Sequence, residues 1–323
     1  MKAIVCRRYG SPDVLELAEV EKPAVPDDGV LVRVRASSIN PADWHAFTGT
    51  PYVARPAFGM LKPKSQLVGL DFAGTVESVG ASVTQFRPGD EVFGGANGAL
   101  AEYVTVPEDR AVVMKPAGLT FEEAAAVPVA AVTALQALRD HGGLEPGQHV
   151  LINGASGGVG TFAVQIAKSL GAEVTGVCST GNVDVARSIG ANKVIDYTRE
   201  DFTRGEVRYD LIVDIAGSRS WSEYRRVLKP KATVVVVGGP SSDNWLGPLR
   251  HVIRMRLGSM LGSQKVAFFV ATLKKADLEF LRDLLESGKV KPVIDRRYAL
   301  SEAAEAFRYL GEGHAKGKIV ISV

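Results

Sequence analysis

The stretch Asn153-Gly-Ala-Ser-Gly-Gly-Val-Gly160 decides the fold of this chain. It directly follows the apolar run His149-Val-Leu-Ile-Asn153 and precedes an apolar-periodic stretch that continues to Leu170. A glycine-rich turn between a strand and a helix can receive a pyrophosphate, because backbone N–H groups and the helix N-terminus point at the same place. A simple turn is the alternative interpretation. The order strand, turn, helix and second strand favours a dinucleotide site.

Strands and helices continue to alternate beyond the glycine turn. The predicted strands are Glu173–Cys178, 193–195, Tyr209–Asp214 and 233–237, and helical stretches are predicted over 183–189 and 221–228. Apolar strands that alternate with helices require a parallel sheet that is covered on both faces. The sequence therefore predicts an α/β fold with a doubly wound, Rossmann-type domain.

The first 108 residues follow a different pattern, in which short β-rich runs are broken by Gly, Pro and Asp. Such spacing predicts a compact β-rich domain. The segment Thr120-Phe-Glu-Glu123 then forms a capping box, which predicts the start of a helix and a domain boundary near residue 121.

Composition limits the possible functions of this chain. Its 323 residues suggest about two domains, and 38 Lys and Arg against 36 Asp and Glu leave no basic excess for nucleic acid or for a membrane surface. The two cysteines, Cys6 and Cys178, are too few for a disulfide scaffold, so we expect a cytoplasmic protein. The apolar run 124–138 is interrupted by polar residues and predicts a buried helix.

The end of the second predicted strand bears on the choice of cofactor. After Cys178 the chain continues Ser179-Thr180-Gly181-Asn182, without the carboxylate that holds the ribose 2′-hydroxyl of NAD. Hydroxyl and amide groups accommodate a 2′-phosphate, so the sequence favours NADPH over NADH. Asp184 lies close enough to oppose this inference, and Ser179 and Thr180 acting only as helix caps is an equally open alternative.

Several motifs together resemble those of a known family. The sequence is similar to the medium-chain dehydrogenase/reductase superfamily, and in particular to its zinc-free quinone oxidoreductase-like branch, in segments 69–80, 87–93, 101–104, 153–160, 288–294 and 313–320. The resemblance implies a GroES-like catalytic domain over 1–121, a Rossmann NADP-binding domain over 122–288, and a C-terminal return to the catalytic domain over 289–323.

The resemblance also predicts that no metal is bound. Zinc-containing members place a cysteine and a histidine where this chain has Asn40 and Leu70, and the segment with four cysteines is missing. Zinc requires Cys, His or carboxylate ligands, and His45 with Asp71 is a poor set. We expect His45 to be a residue of a helix face.

Without a metal, hydrogen bonds must stabilise a developing oxyanion. By resemblance, the Asn40 amide donates to the substrate carbonyl, and water or Tyr52 supplies the proton. Two alternatives remain open: Asn40 with Pro41 forms only a turn and helix start, and Tyr52 is only an apolar lid residue.

Further cofactor contacts are implied by resemblance. The full predicted set also includes residues of the glycine turn and of the end of the second strand. Its members are Thr133, Ser156, Gly157, Gly158, Val159, Ser179, Thr180, Tyr197, Ile215, Gly238, Phe268, Phe269 and Lys318. Lys318 is expected at the pyrophosphate. Lys231 replaces a glycine that is usual in its turn.

These features predict an NADPH-dependent reductase of quinones or α,β-unsaturated carbonyl compounds that acts as a homodimer. The alternatives are a zinc-free alcohol or ketone dehydrogenase and a non-catalytic NADPH-binding protein. By resemblance, the dimer contact is expected at the edge of the cofactor-domain sheet, in the run Val234 to Val237 with the segment that follows it. The stretch 245–260 is compatible with a lid, a dimer surface or a partner site, and the loops 51–66 and 240–262 are expected to shape the substrate pocket.

Overall fold

The computed structural model describes residues 1–239, 244–246, 248–260 and 262–323. The chain forms two compact units. Unit 1 comprises Met1–Val132 and Thr272–Val323, and unit 2 comprises Thr133–Ala271.

Unit 1 is rich in β-strands, with elements numbered here in chain order. Its strands are β1 (Lys2–Cys6), β2 (Leu15–Glu19), β3 (Gly29–Ile39), β4 (Asp71–Val79), β5 (Glu91–Gly95), β6 (Tyr103–Pro107), β7 (Val112–Met114), β14 (Ile294–Ala299) and β15 (Lys318–Ser322). Its helices are α1 (Pro41–Thr48), α2 (Arg55–Phe58), α3 (Phe121–Ala125), α9 (Lys275–Glu286) and α10 (Ala303–Gly311), while α4 (Pro128–Leu135) begins in unit 1 and ends in unit 2.

The main sheet of unit 1 is organised around β3. This strand pairs antiparallel with β4, β6 and β15, and β5 and β7 extend the sheet beyond β4. Val32 and Val34 are buried while Arg33 and Arg35 are exposed, which is the period of two expected for a strand with one face in the core. The pairing brings the end of β3, the start of β4 and the start of β15 together.

Unit 2 alternates strands and helices. Its strands are β8 (His149–Asn153), β9 (Glu173–Cys178), β10 (Lys193–Asp196), β11 (Tyr209–Asp214), β12 (Leu228–Val236) and β13 (Lys265–Phe268). Its helices are α5 (Gly158–Ser169), α6 (Val183–Ser188), α7 (Trp221–Arg225) and α8 (Pro248–Ser259), with a π-helical segment at Gln136–His141.

The sheet of unit 2 is parallel throughout, with the strand order β10-β9-β8-β11-β12-β13. This is the doubly wound Rossmann arrangement, and the prediction from the alternating pattern is confirmed. The strand order reverses between β8 and β11, where such sheets open a crevice for ligands at the carboxyl ends of their strands.

The run Val234 to Val237 is not at the edge of the sheet, whereas the segment that follows it, also part of the predicted dimer contact, contains the outer strand β13. Val234, Val235 and Val236 lie on β12, which pairs with β11 on one side and with β13 on the other. An internal strand has its backbone groups already paired and cannot add a second chain. Among the described residues, β13 is the outer strand on this side of the sheet.

The division between the units differs from the predicted boundaries. Residues 122–132 and 272–288 lie in unit 1, although the sequence placed them in the cofactor domain. The helix α3 packs against β3 and β4, and α9 packs against β7. Lys275 Nζ at the start of α9 donates to Gln85 Oε1 at 2.6 Å and to Glu108 O at 2.7 Å.

The apolar run 124–138 is buried as expected, but it is not a single helix. It contains the end of α3, the whole of α4 and the start of the π-helical segment. Pro128 begins α4, because proline lacks the N–H that a continuous helix would need there. No helix in the described ranges is both long and apolar enough to cross a lipid bilayer.

Candidate active site

The glycine turn connects β8 to α5. Gly154 has a φ of 96°, a conformation that glycine adopts without steric cost, and Gly157 is the N-cap of α5. A β-carbon at Gly160 would collide with the carbonyl oxygen of Gly154, so only glycine lets the helix approach the turn this closely. The predicted contacts at 156–159 therefore surround a helix N-terminus, whose free N–H groups favour a pyrophosphate.

Asn182, whose amide the sequence analysis counted among the groups able to accommodate a 2′-phosphate, joins this turn to the end of β9. Its Nδ2 donates to Ser156 Oγ and to Ser179 Oγ, both at 3.1 Å. Each serine hydroxyl accepts in these bonds and keeps its own hydrogen to donate. Asn182 Oδ1 is buried without a protein partner, which fits a ligand that brings a donor such as a ribose hydroxyl. In the sequence, the signal for this role is the amide residue that follows the second strand of the Rossmann domain.

A carboxylate lies beside Thr180, contrary to the sequence inference. Thr180 Oγ1 donates to Asp196 Oδ2 at 2.6 Å, and Thr198 donates to Asp196 Oδ1 from its N–H and its hydroxyl. These hydroxyl donors hold the pKa of Asp196 below its usual value. The sequence argument missed Asp196 because it ends the next strand, where β10 pairs with β9. Asp184, the carboxylate that was considered, is fully exposed beside Arg187.

Three other predicted contacts follow strand ends at the carboxyl edge of the sheet. Tyr197 follows β10 and is 54% exposed. The Ile215 N–H donates to Asn153 O at 3.0 Å, and the Gly238 N–H donates to Asp214 O at 3.3 Å. The structure therefore places these residues where a Rossmann sheet binds ligands, and their contact with a cofactor stays a prediction.

The remaining predicted contacts of unit 2 lie outside the glycine turn. Phe268 ends β13 and packs against the unit 2 core. The Phe269 ring stacks on His141 with 4.2 Å between centroids. Thr133 lies on α4 and is half-buried. Their role at a nicotinamide stays a prediction.

A buried polar network surrounds Asp214 at the end of β11. Its carboxylate accepts from Asn153 Nδ2, from the Gly217 N–H and from His251 Nε2, each at 2.9 Å. Asn153 Nδ2 also lies 2.9 Å from the hydroxyl of Tyr224, and burial raises the pKa of that phenol. The network ties α7 and α8 to the carboxyl edge of the sheet.

The stretch 245–260, for which three roles were open, contains α8. Val252 and Met255 are buried in the unit 2 core, whereas Ile253, Leu257 and Met260 are exposed. The stretch is therefore a surface helix with a partly apolar outer face. Residues 240–243, 247 and 261 of the predicted loop 240–262 lie outside the described residues.

Unit 1 contains a second buried polar cluster, formed by Asn40, Asp43, Asp71 and Lys318. The Lys318 ammonium donates to Asn40 Oδ1 at 2.5 Å and lies 3.4 Å from Asp71 Oδ2. Asn40 Nδ2 donates to Asp71 Oδ2 at 2.8 Å and to Asp43 Oδ2 at 3.4 Å. All four residues are at most 3% exposed.

This arrangement favours roles for Asn40 and Lys318 that differ from those implied by the resemblance. Both hydrogens of the Asn40 amide point to carboxylates within the cluster, so none remains for a substrate carbonyl. Lys318 is buried with its ammonium on Asn40 and Asp71 rather than at a surface that a pyrophosphate could reach. Both side chains hold the cluster together.

The charges of the cluster shift two pKa values. Burial, assisted by the negative charge of Asp71, raises the pKa of Asp43 to about 7. Burial lowers the pKa of Lys318, and the attraction of Asp71 opposes that change. The cluster therefore contains a carboxyl group that exchanges its proton near neutral pH.

The donor set of this cluster does not fit zinc. Its members are an amide, two carboxyl groups and an ammonium. The Lys318 ammonium lies between Asn40 and Asp71, where a metal ion would otherwise have to bind. Over the described ranges, no three His, Cys, Asp or Glu side chains group in a way that could hold a metal ion. His45 Nδ1 instead lies 2.7 Å from Thr50 O, and burial lowers the pKa of its imidazole.

A cavity of about 480 Å³ lies in unit 1 beside α1. Ala42, Asp43 and Ala46 of α1 line one side. Phe58, in the predicted pocket loop 51–66, lines another side. Leu70, the residue before β4, also lines the cavity. The wall thus combines apolar residues with a few polar ones, and Asp43 is among its lining residues.

Tyr52 lies in a short 3-10 turn of the same loop. The guanidinium of Arg55 lies over the rings of Tyr52 and Tyr9, 4.4 and 4.8 Å from their centroids. Arg55 Nε also donates to Gly49 O at 3.0 Å, which fixes the loop to the end of α1. The role of Tyr52 as a proton donor stays a prediction.

Two family models match this chain. Residues 26–117 match the alcohol dehydrogenase GroES-like domain, and residues 189–321 match a family described as zinc-binding dehydrogenase. The first match lies within unit 1, and the second covers parts of both units.

Individual relatives match over nearly the whole chain. A 2-methylene-furan-3-one reductase of Solanum lycopersicum is 34% identical over 99% of this chain and 79% of its own length. An NADPH-dependent alkenal/one oxidoreductase from the chloroplast of Arabidopsis thaliana is 32% identical, with the same coverage of both chains. The structure of a quinone oxidoreductase from Coxiella burnetii superposes with a TM-score of 0.87 at 31% identity, covering 100% of this chain and 99% of that one.

Proposed function

The chain belongs to the medium-chain dehydrogenase/reductase superfamily, in its quinone oxidoreductase-like branch, and we propose that it reduces quinones or α,β-unsaturated carbonyl compounds with NADPH. The names of its relatives, which include quinone and alkenal/one oxidoreductases, support this reaction class. The dinucleotide supplies a hydride when bound. The chain must bind and orient the acceptor and provide a proton.

The observation that carries this proposal is the cavity of unit 1. Its volume of about 480 Å³ suits a small ligand, since ligand pockets usually measure about 300–1,000 Å³. Ala42, Ala46 and Phe58 offer apolar surface to a flat conjugated ring. A conjugated acceptor needs less polarisation of its oxygen than an isolated ketone does, which suits a site whose Asn40 amide is already committed.

The choice of NADPH is supported by the hydroxyl groups near the glycine turn. Ser156 and Ser179 each keep a hydrogen that can bind a 2′-phosphate. Asp196 accepts from Thr180 and Thr198, so a ribose 2′-hydroxyl would share its oxygens with two threonine residues. A homodimer and a cytoplasmic location remain predictions of the sequence.

Fluorescence titration of the purified protein with NADPH and NADH in separate experiments tests the cofactor. We expect NADPH to bind more tightly, and Asp196→Asn to bind NADPH more tightly still, because it removes a negative charge near the phosphate. Asp184→Asn is the matched control, because Asp184 is fully exposed and pairs with Arg187. NADH binding as tightly as NADPH would contradict the assignment of NADPH.

Turnover with a panel of quinones and enones then tests the reaction. We expect NADPH oxidation with both classes of substrate. Binding of NADPH, detected as a rise in Tm, without turnover of any acceptor would instead indicate a non-catalytic dinucleotide-binding protein. Preferred oxidation of simple alcohols would indicate the dehydrogenase alternative, and failure to bind either dinucleotide would overturn the oxidoreductase assignment.

A further inference from the structure

Asp43 is a buried ionisable group that the proposed reaction has not yet used. It lies in the first turn of α1, is 2% exposed and lines the cavity of unit 1. Within the described part of the chain, its side chain accepts two hydrogen bonds, from the Asn40 N–H at 2.8 Å and from Asn40 Nδ2 at 3.4 Å. Both end at Oδ2, so Oδ1 is the oxygen that these two bonds leave unoccupied.

The charge balance of the cluster requires one proton. Asp43, Asp71 and Lys318, all ionised, would leave one net negative charge out of water, which is costly. Protonation of one carboxyl group makes the cluster neutral. The other ionisable groups at the cavity do not supply the missing charge, because the Lys64 side chain is exposed to solvent and burial raises the pKa of the Cys6 thiol.

The hydrogen bonds determine which carboxyl group carries this proton. Asp71 accepts from Asn40 Nδ2, from the Ser38 hydroxyl and from the Val129 N–H, and it also lies beside the Lys318 ammonium. The carboxyl group of Asp71 is therefore surrounded by four donors, one of which is charged. Asp43 has only the two bonds from Asn40 and faces the negative charge of Asp71. The proton therefore resides on Asp43.

We propose that Asp43 is the proton donor in the reduction of α,β-unsaturated carbonyl substrates held in the cavity of unit 1. This inference rests on the function proposed above. The hydride forms a new C–H bond at the β-carbon, and the electron pair of the C=C bond moves into an enolate. The O–H bond of Asp43 then breaks, its proton forms the C–H bond at the α-carbon, and a proton from water restores the carboxyl group.

Quinone reduction provides an internal comparison. Hydride transfer to a quinone leaves its negative charge on a phenolate oxygen, which water can protonate after release. An enolate must be protonated at carbon to give the saturated ketone. The donor therefore matters more for an enone than for a quinone, a difference that a general loss of folding would not produce.

The variant Asp43→Asn tests this assignment. Asparagine has the same shape and keeps an oxygen that can accept from the Asn40 N–H, but it has no acidic hydrogen. Loss of a general acid typically costs about 10²–10⁴-fold in rate, so we expect at least about a 100-fold fall in kcat for an enone and a much smaller fall for a quinone. Asp277→Asn is the matched control, because Asp277 is also buried in the first turn of a helix of unit 1. It should leave both rates unchanged.

Infrared difference spectroscopy gives a readout that does not depend on turnover. At neutral pH, the protein without dinucleotide should show the carbonyl band of a protonated carboxyl group, and Asp43→Asn should lack it. An unchanged ratio of enone to quinone rates in Asp43→Asn, or the band retained in that variant, would overturn the assignment.

Tyr52→Phe keeps the proposal testable if Asp43→Asn does not fold. A selective loss of enone reduction in Tyr52→Phe would assign the donor to Tyr52 and overturn the role of Asp43. If the unmodified protein reduces neither enone nor quinone, the proposed function fails, while the infrared band still shows whether the chain holds a buried proton.

Discussion

The two buried polar networks of this molecule, one in each unit, both pair an asparagine amide with an aspartate carboxyl group but balance their charges differently. In unit 2, the single carboxylate of Asp214 accepts from Asn153, from the Gly217 N–H and from His251. In unit 1, the cluster holds two carboxyl groups and one ammonium; the ammonium pairs with Asp71, and Asp43 lines a cavity.

The difference separates structural from chemical uses of a buried carboxyl group. The single carboxylate of Asp214 is hydrogen-bonded to groups of the sheet edge and of α8, and it connects these elements. Where a buried cluster has two carboxyl groups and only one positive charge, the second carboxyl group holds a proton near neutral pH, as Asp43 does. The following predictions test this contrast in order of decreasing effect.

Lys318→Met should have the largest effect on stability. It removes the only ammonium of the unit 1 cluster and leaves Asp71 without its charge partner. Breaking a buried ion pair in this way costs about 3–5 kcal/mol of unfolding free energy. Urea unfolding at pH 8 measures it, and the double variant Lys318→Met/Asp71→Asn should recover part of the loss. A loss no greater than that of a surface pair, about 1 kcal/mol or less, would contradict the account.

The pH dependence of stability should reveal Asp43. Its pKa is about 7 in the folded protein and 3.8 for the unperturbed group, so between these values the folded state binds more protons than the unfolded state. The contribution of Asp43 to stability should therefore fall as pH rises from 4 to 7 and stay level above that, by at most about 4 kcal/mol at 1.36 kcal/mol per pKa unit.

Asp43→Asn provides the control for this pH dependence. Urea unfolding across the same pH range should show that the contribution assigned to Asp43 is missing from the variant. If the variant and the unmodified protein lose stability equally between pH 4 and 7, the proton is not on Asp43.

Asp214→Asn should weaken unit 2 without changing the selectivity of the reaction. The amide cannot accept all the donors that converge on Asp214, and each unsatisfied buried donor costs about 1–3 kcal/mol. Urea unfolding should show this loss, while the ratio of enone to quinone rates should stay as in the unmodified protein. A selective loss of enone reduction here would remove the proposed distinction between the networks.

Lys231→Gly should have the smallest effect and lies outside both networks. Lys231 has a φ of 64°, and a side chain in this left-handed region costs about 1–2 kcal/mol. Glycine should therefore stabilise the protein by about 1 kcal/mol, seen as a small rise in Tm. Thr233→Gly in the same strand should lower Tm instead, and equal effects of the two changes would show that Lys231 is not strained.

The local features of this fold could be predicted from the sequence. The run from His149 to Gly160 shows its strand, turn and helix within a few residues, because hydrophobic periodicity and glycine placement act over short distances. The capping box at Thr120 is likewise local, and Glu123 N donates to Thr120 Oγ1 at 3.2 Å. For this reason, the alternation of strands and helices and the position of the glycine turn between β8 and α5 follow from the sequence.

The chemistry of the candidate site could not be predicted because it depends on distant pairings. Lys318 lies 278 positions from Asn40 and 247 from Asp71 in the sequence, and only the pairing of β15 with β3 and of β3 with β4 brings them together. Asp196 lies beside Thr180 for a similar reason, since it sits on a neighbouring strand. A sequence pattern shows each residue but not its partner.

The most direct test of this account is the pH profile of kcat for an enone at saturating NADPH, measured for the unmodified protein and for Asp43→Asn. The account predicts that kcat of the unmodified protein falls as pH rises above about 7, when the carboxyl group loses its proton. It also predicts that the variant is slow and shows no such fall. The same decline in both proteins would contradict the claim that the buried cluster of unit 1 donates the proton.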